Sequence, residues 1–149
     1  MIRLAKQEDL RRLIEMSERF YPYTTYSIKS KIPLDVEATA LLASTMIDHH
    51  VVYVAEVNDR VVGMIGIIVA PFIFNPAYTH GGEIIWWVEP ENNSEGLGRQ
   101  LLRAIEPRCK ELGVTYIQMV DLECSPVKAE ELFRSEGYEL TERTFTKVI

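Results

Sequence analysis

Gly96 and Gly98 stand two residues apart in WWVEPENNSEGLGRQLL, between a hydrophobic run and an apolar-periodic segment of helical spacing. Backbone without side chains has a chemical use at such a point. It lets a ligand approach the main chain and permits positive φ. The first turn of the helix behind it presents N–H groups that lack intrahelical partners, together with the positive end of the helix dipole. Both favour an anion such as phosphate. Asn92, Asn93 and Ser94 add polar groups able to cap neighbouring donors. From the two glycines alone, an ordinary Gly-containing turn is the competing reading. The stretch is not a Walker loop, because no Gly-Lys-Ser/Thr follows. Nor does it suit a dinucleotide-binding unit, which needs a third glycine near the helix start and an early place in the chain.

Period and punctuation predict the elements that would carry this turn. Residues 1–5 alternate weakly, as a short edge strand does, and residues 7–20 place Leu10, Leu13, Ile14 and Met16 at helical spacing. Residues 21–33, with three tyrosines and two prolines, read as a loop with room for a helical turn, and residues 34–47 as a second helix. The period then changes. Residues 51–57 and 61–69 are strands flanking an Asn58-Asp59-Arg60 turn. Residues 71–82, rich in aromatics and punctuating residues, read as a loop, and 83–88 as a buried central strand. A helix over 96–112, a strand over 115–120, a helix over 127–135 and an alternating tail strand complete the order. Pro107 predicts a kink or break near residues 103–106. The order β-α-α-β-β-β-α-β-α-β implies an α/β chain with a mixed sheet and helices on both faces.

Composition narrows the function classes. The 149 residues suit one domain, 1–149, with 47% hydrophobic and 26% charged residues. The net charge of -6 and the lack of a basic run argue against nucleic acid, and favour cationic partners such as amines or basic peptides. Cys109 and Cys124 form no metal-ligand pattern with the three histidines, so no metal is expected. Reduced cysteines, a charged start and the lack of a long apolar run predict a soluble cytoplasmic chain without a membrane segment.

The stretch EIIWWVEPENNSEGLGRQLL resembles the acyl-CoA motif of the GNAT N-acetyltransferase superfamily. In that motif a strand ends in V-x-P, bends, and meets Q/R-x-x-G-x-G/A at the mouth of a long helix. Val88-Glu89-Pro90 supplies the strand end here, and Asn93 to Gly98 the loop. The likeness runs along the chain, through Ile2-Arg3-Leu4-Ala5, Val62-Gly63, and Ala129, Leu132, Phe133, Gly137 and Tyr138. It implies a GNAT-like fold, a mostly antiparallel mixed sheet whose central strands, 83–88 and 115–120, splay apart. Acetyl-CoA would be the cosubstrate, with its pantetheine arm beside Val88. Its diphosphate would rest on Asn93, Ser94, Glu95, Gly96, Leu97, Gly98 and Arg99, and Phe133 would line the same side. Asn93 departs from the usual Gln or Arg. Arg99 and Arg103 either meet outer phosphates or pair with Glu95 or Glu106 on a solvated helix face.

Acetyl transfer to an amine needs a neutral amine, yet an alkylammonium has a pKa of ~10.4. Glu83, at a strand position where some of the family carry a glutamate, is the candidate base, with Ile85 and Trp87 as apolar neighbours that raise its pKa; a solvent-exposed strand-end carboxylate is the alternative. His80 is the alternative base. The Val88 N–H is the expected oxyanion donor. Many of the family have tyrosine where this chain has Phe133, which leaves the general acid open among Ser125, Cys124 and water, with Tyr138 read as structural. Tyr23, Tyr26, Phe72 and Phe74 are candidates for the acceptor cleft, a small-molecule or peptide amine being the acceptor and a homodimer the possible assembly. An acyl-CoA-binding module without turnover is the rival function.

Overall fold

The computed structural model describes residues 1–149 apart from the side chains of Ser94 and Glu95. Five strands form one sheet in the order β1-β2-β3-β4-β5: Ile2–Leu4, Val51–Val57, Arg60–Phe72, Asn75–Val88 and Val114–Gln118. Neighbours are antiparallel except β4 and β5, which run parallel. The helices are α1 (Leu10–Phe20), α2 (Thr25–Ile28), α3 (Val36–His49), α4 (Leu97–Glu111) and α5 (Ala129–Ser135).

Strand alternation sends successive side chains to opposite faces and so divides the core in two. Val51, Ala55, Ile65, Ile67 and Val88 pack beneath Leu101, Leu102 and Ile105 of α4 and Phe133 of α5. On the other face Val52, Val54 and Met64 meet Leu13 and Met16 of α1 and Met46 of α3. The β2–β3 hairpin turns through Asn58 and Asp59 at φ 49° and 58°, the left-handed pair that a tight hairpin requires. Asp35 caps α3 by accepting from Ala38 N at 2.9 Å.

Three expectations change, and the helical turn expected within residues 21–33 becomes two short ones. Residues 71–82 are strand: β3 runs on to Phe72 and β4 starts at Asn75, leaving only Ile73 and Phe74 in the turn. Aromatic and β-branched side chains there outweigh the prolines and glycines. Residues 21–33 contain a 3-10 turn, Tyr21–Tyr23, and then α2. α4 continues through Pro107, which sits on its exposed face, where a missing N–H donor is least costly because solvent can reach the backbone. The tail, residues 139–149, forms no strand. Its alternate residues Thr141, Arg143, Phe145 and Lys147 mix charge with one ring, so no face is apolar enough to bury.

Candidate active site

The site begins where two strands part. β4 and β5 pair from Thr79–Val114 to Gly82–Gln118, and beyond Gly82 the rest of β4 pairs with β3 alone. A bulge marks the same place. Ile85 faces Gly66 and Glu83 faces Ile67, so Ile84 is an extra residue that re-aims the strand. Glu83 follows immediately after the last paired residue, half-buried, and its Oε2 accepts from Val120 N at 2.8 Å. That bond explains why β5 ends at Gln118 rather than at residue 120. The N–H that would continue the ladder goes to a side chain. Burial pushes the Glu83 carboxyl up to about 7, against the opposing pull of the Val120 N–H. A carboxyl half-ionised near neutrality is suited to receive a proton.

At the other end of the gap the backbone supplies a donor. Glu89 N bonds Val62 O at 2.8 Å, toward β3. Successive N–H groups of a strand point to opposite sides. The Val88 N–H is therefore directed to the side that β5 has left.

The chain then bends through a 3-10 turn, Pro90–Glu95, into Gly96. The two glycines do different work. Gly96 has φ +68°, and a Cβ there would meet nothing within 4 Å: its conformation requires glycine, and the space around it is open. Gly98 has ordinary φ, and a Cβ there would lie 3.4 Å from Trp86 Cζ2, an ordinary contact, so the helix mouth rests on an indole without requiring glycine. Gln100 N bonds Gly96 O at 3.2 Å. The N–H groups of Leu97, Gly98 and Arg99 therefore lie ahead of the helical ladder, at the positive end of a 15-residue helix. Leu97 itself is buried in the core, and Asn93 is exposed. Ser94 and Glu95 lie outside the described residues. Among the described residues Arg99 and Arg103 both hold Glu136, at 2.6 Å and 2.8 Å, which pins the end of α5 to α4, while Glu106 pairs with Lys110.

Phe133 is 8% exposed and packs on Trp86 with ring centroids 5.3 Å apart. Tyr138 packs on Phe133 in turn, and burial pushes its hydroxyl up to about 12, which keeps it protonated as part of the core. His80 is not on a loop and does not join Glu83. It sits on β4 where β4 and β5 are still paired, stacked on Tyr116 at 5.5 Å, with Phe72 edge-on at 6.5 Å.

The aromatic candidates for the acceptor separate. Tyr23 stacks on Trp87 at 6.0 Å and lines a groove of about 270 Å³ with Thr25, Ile28, Lys29, Glu123 and Cys124. Lys29 bridges this groove to Glu123 at 2.5 Å. Tyr26 is exposed on α2 outside that lining. Phe72 and Phe74 pack edge-to-face at the tip of the β3–β4 hairpin. Phe72 is eight residues along β3 from Met64, the partner of Trp87. At ~3.3 Å per residue that is roughly 25 Å, too far to share a site with Tyr23.

A second carboxylate was not foreseen as functional. Glu89 is 2% exposed and accepts from Arg12 Nη2 at 2.5 Å, Arg19 Nη1 at 3.1 Å and Trp87 Nε1 at 3.2 Å. The sequence carried a faint signal. Arg12 and Arg19 are seven residues apart, two helical turns, and so share one face of α1. Among the described residues no group of three or more His, Cys, Asp or Glu could hold a metal, and no helix is long and apolar enough to cross a membrane.

The comparisons agree with this fold. The model of the Acetyltransferase (GNAT) family matches residues 8–138. Among solved structures, a protein described as a predicted acetyltransferase with acetyl-CoA, from Clostridium acetobutylicum, superposes with a TM-score of 0.74 at 16% identity, over 99% of this chain and 94% of that one. Ribosomal-protein-alanine N-acetyltransferase from Brucella melitensis gives 0.72 at 11% identity over 100% and 99%. Glucosamine-6-phosphate N-acetyltransferase from Arabidopsis thaliana gives 0.71 at 14% identity over 99% and 96%. At these identities the likeness concerns the fold. No match was found among curated proteins.

Proposed function

This chain belongs to the GNAT acetyltransferase family, and on that premise we propose that it transfers an acetyl group from acetyl-CoA to a primary amine by direct attack. The observation that carries the reading is the gap between β4 and β5, bounded by Glu83 at its apex and by the Val88 N–H at the strand end. Open space at Gly96 and the leading N–H groups of α4 suit a diphosphate, which needs several converging donors and little side-chain bulk. Acetyl-CoA contributes an activated thioester. The chain's own groups do the rest. Glu83, ionised above about 7, takes the ammonium proton, directly or through water. The Val88 N–H meets the charge that develops on the carbonyl oxygen. Phe133 has no proton to give, so the thiolate leaves unaided or takes a proton from water.

In the same reading, residues 1–149 form one catalytic domain that works in the cytoplasm on a small-molecule or peptide amine. A homodimer through its outer strand edges is part of that reading.

Mixing the protein with acetyl-CoA and a panel of primary amines, while following free thiol, tests the proposal. Amine-dependent thiol release that climbs with pH through about 7 is expected. Phe133 favours a second reading, an acyl-CoA-binding module without turnover. Tight calorimetric binding with no thiol release from any amine would select it. Folded protein that produces no heat with coenzyme A would defeat both.

A further inference from the structure

The buried carboxylate at Glu89 has no part in the mechanism above, yet it adjoins Val88 and gathers three side-chain donors, two from α1 and one from β4. The geometry points to Glu89 as a positioning residue that sets the wall of the acceptor groove against the oxyanion donor. This inference rests on the acetyl-transfer reading.

Each donor leads toward the cleft. Trp87 Nε1, at 3.2 Å, fixes an indole whose ring stacks on Tyr23 at 6.0 Å and meets Phe20 at a tilt at 5.6 Å, and Tyr23 lines the groove. Arg19 reaches Glu89 at 3.1 Å and also Glu91 at 3.2 Å, in the turn that leads to Gly96. Arg12 binds Glu89 at 2.5 Å and, through Nε, Val61 O at 2.9 Å, which ties α1 to the start of β3. The backbone N of Glu89 holds Val62 O at 2.8 Å. One residue thus joins α1, which runs directly into the groove wall at Tyr21–Tyr23, to the peptide that ends the donor strand. An ion pair that served only to hold α1 would need neither the indole nor a place beside Val88. Reacting atoms must lie ~3–3.5 Å apart, and a displacement of ~1 Å can cost ~10²-fold.

Glu89→Gln keeps the shape and removes the charge. In folded enzyme it should lower kcat ~30- to 100-fold and raise the acceptor KM several-fold, while the Kd for acetyl-CoA by calorimetry stays within threefold. Trp87→Phe keeps a ring against Tyr23 and removes the N–H. It should raise the acceptor KM ~3- to 10-fold with a smaller loss in kcat. Folded Glu89→Gln with wild-type kcat and acceptor KM would overturn the assignment, as would a loss that follows acetyl-CoA affinity alone. Should Glu89→Gln fail to fold, Trp87→Phe and Arg19→Lys decide the question by the same KM split. Should the unaltered protein acetylate no amine, the acetyl-transfer reading falls by itself. Glu89 is then judged from the amide of Val88 and the indole N–H of Trp87 by nitrogen-15 NMR. Glu89→Gln must shift both and speed their hydrogen exchange at least tenfold, and unchanged resonances reject the role.

Discussion

Glu83 and Glu89 leave the same strand six residues apart and meet opposite surroundings. Glu83 stands at the apex of the gap with a single backbone donor, Val120 N, and burial holds its carboxyl up at about 7. Glu89, at the foot, is 2% exposed and has two guanidinium groups and an indole N–H aimed at it. Both are taken from water, but only one is compensated. The lesson is that burial alone does not assign a role to a carboxylate. A sparsely partnered group at a strand divergence is poised to exchange a proton, whereas a fully partnered one is built to stay where it is.

The sharpest way to break this contrast is Glu83→Gln. As general base, Glu83 should be worth ~10²–10⁴-fold, so the variant is expected to lose at least a hundredfold in kcat at pH 8. Binding of acetyl-CoA should be unchanged, because the diphosphate turn is separate from Glu83. Turnover within threefold of wild type would remove Glu83 from the mechanism.

Stability should move in opposite directions at the two sites. Folding raises Glu83 from 4.5 to about 7, so between those values the folded form holds a proton that the unfolded chain has lost. Stability from this group is therefore highest at low pH and falls as pH rises from about 4.5 to about 7. At ~1.4 kcal/mol per tenfold in proton affinity, the penalty at pH 8 is about 3 kcal/mol. Glu83→Gln should remove it, raising Tm by several degrees at pH 8 and much less at pH 4. Glu89→Gln instead removes the closest carboxylate from Arg12 and Arg19, which keep Glu15 and Glu91, and should cost about 1–3 kcal/mol. Thermal unfolding of both variants at the two pH values checks the signs. A Glu83→Gln protein less stable at pH 8 than wild type would mean that its bond to Val120 matters more than its desolvation.

How much of this was legible in the chain follows from range. The β2–β3 hairpin, the helix after Gly96 and the Val88-Glu89-Pro90 strand end are written in local spacing, and local spacing placed them. The splay is implied only by resemblance, and the bond found at its apex, a carboxylate taking an N–H 37 residues away, has no local trace. Glu89 was quoted as a spacer in a motif because its partners lie 77 and 70 residues upstream. Residues 71–82 read as a loop in the sequence because Pro71, Pro76, Gly81 and Gly82 imitate one. Pairing imposes the strand geometry: Pro71 of β3 lies opposite Thr79, and Gly81 and Gly82 are held between β3 and β5. Tyr23 and Phe72 looked equivalent as aromatics, and only the sheet register separates them.

The contrast extends past Glu89 into the turn that it helps to anchor. Gly96→Ala places a Cβ in open space but on a left-handed backbone, a strain of ~1–2 kcal/mol, and should weaken acetyl-CoA about tenfold by calorimetry. Gly98→Ala meets Trp86 at 3.4 Å, an ordinary contact, and should cost less than Gly96→Ala in affinity. The reverse order would show that packing on Trp86, not the φ of Gly96, sets the diphosphate site.

Phe133→Tyr should have the smallest effect, and it asks whether proton traffic belongs to the Glu83 end alone. The new hydroxyl would enter the ring pair with Trp86, whose Nε1 is buried with no hydrogen-bond partner among the described residues and offers a candidate donor. If removal of the amine proton by Glu83 governs the rate, a supplied acid has little to add, because a thiol with a pKa of ~8.5 is already a fair leaving group. The expected change in kcat is then below threefold, with the rise through about 7 intact. A gain of tenfold or more, with a new decline at alkaline pH, would mean that departure of the thiolate limits turnover. In that case the half-ionised carboxyl at the apex would not be the step that the architecture of β4 was arranged to serve.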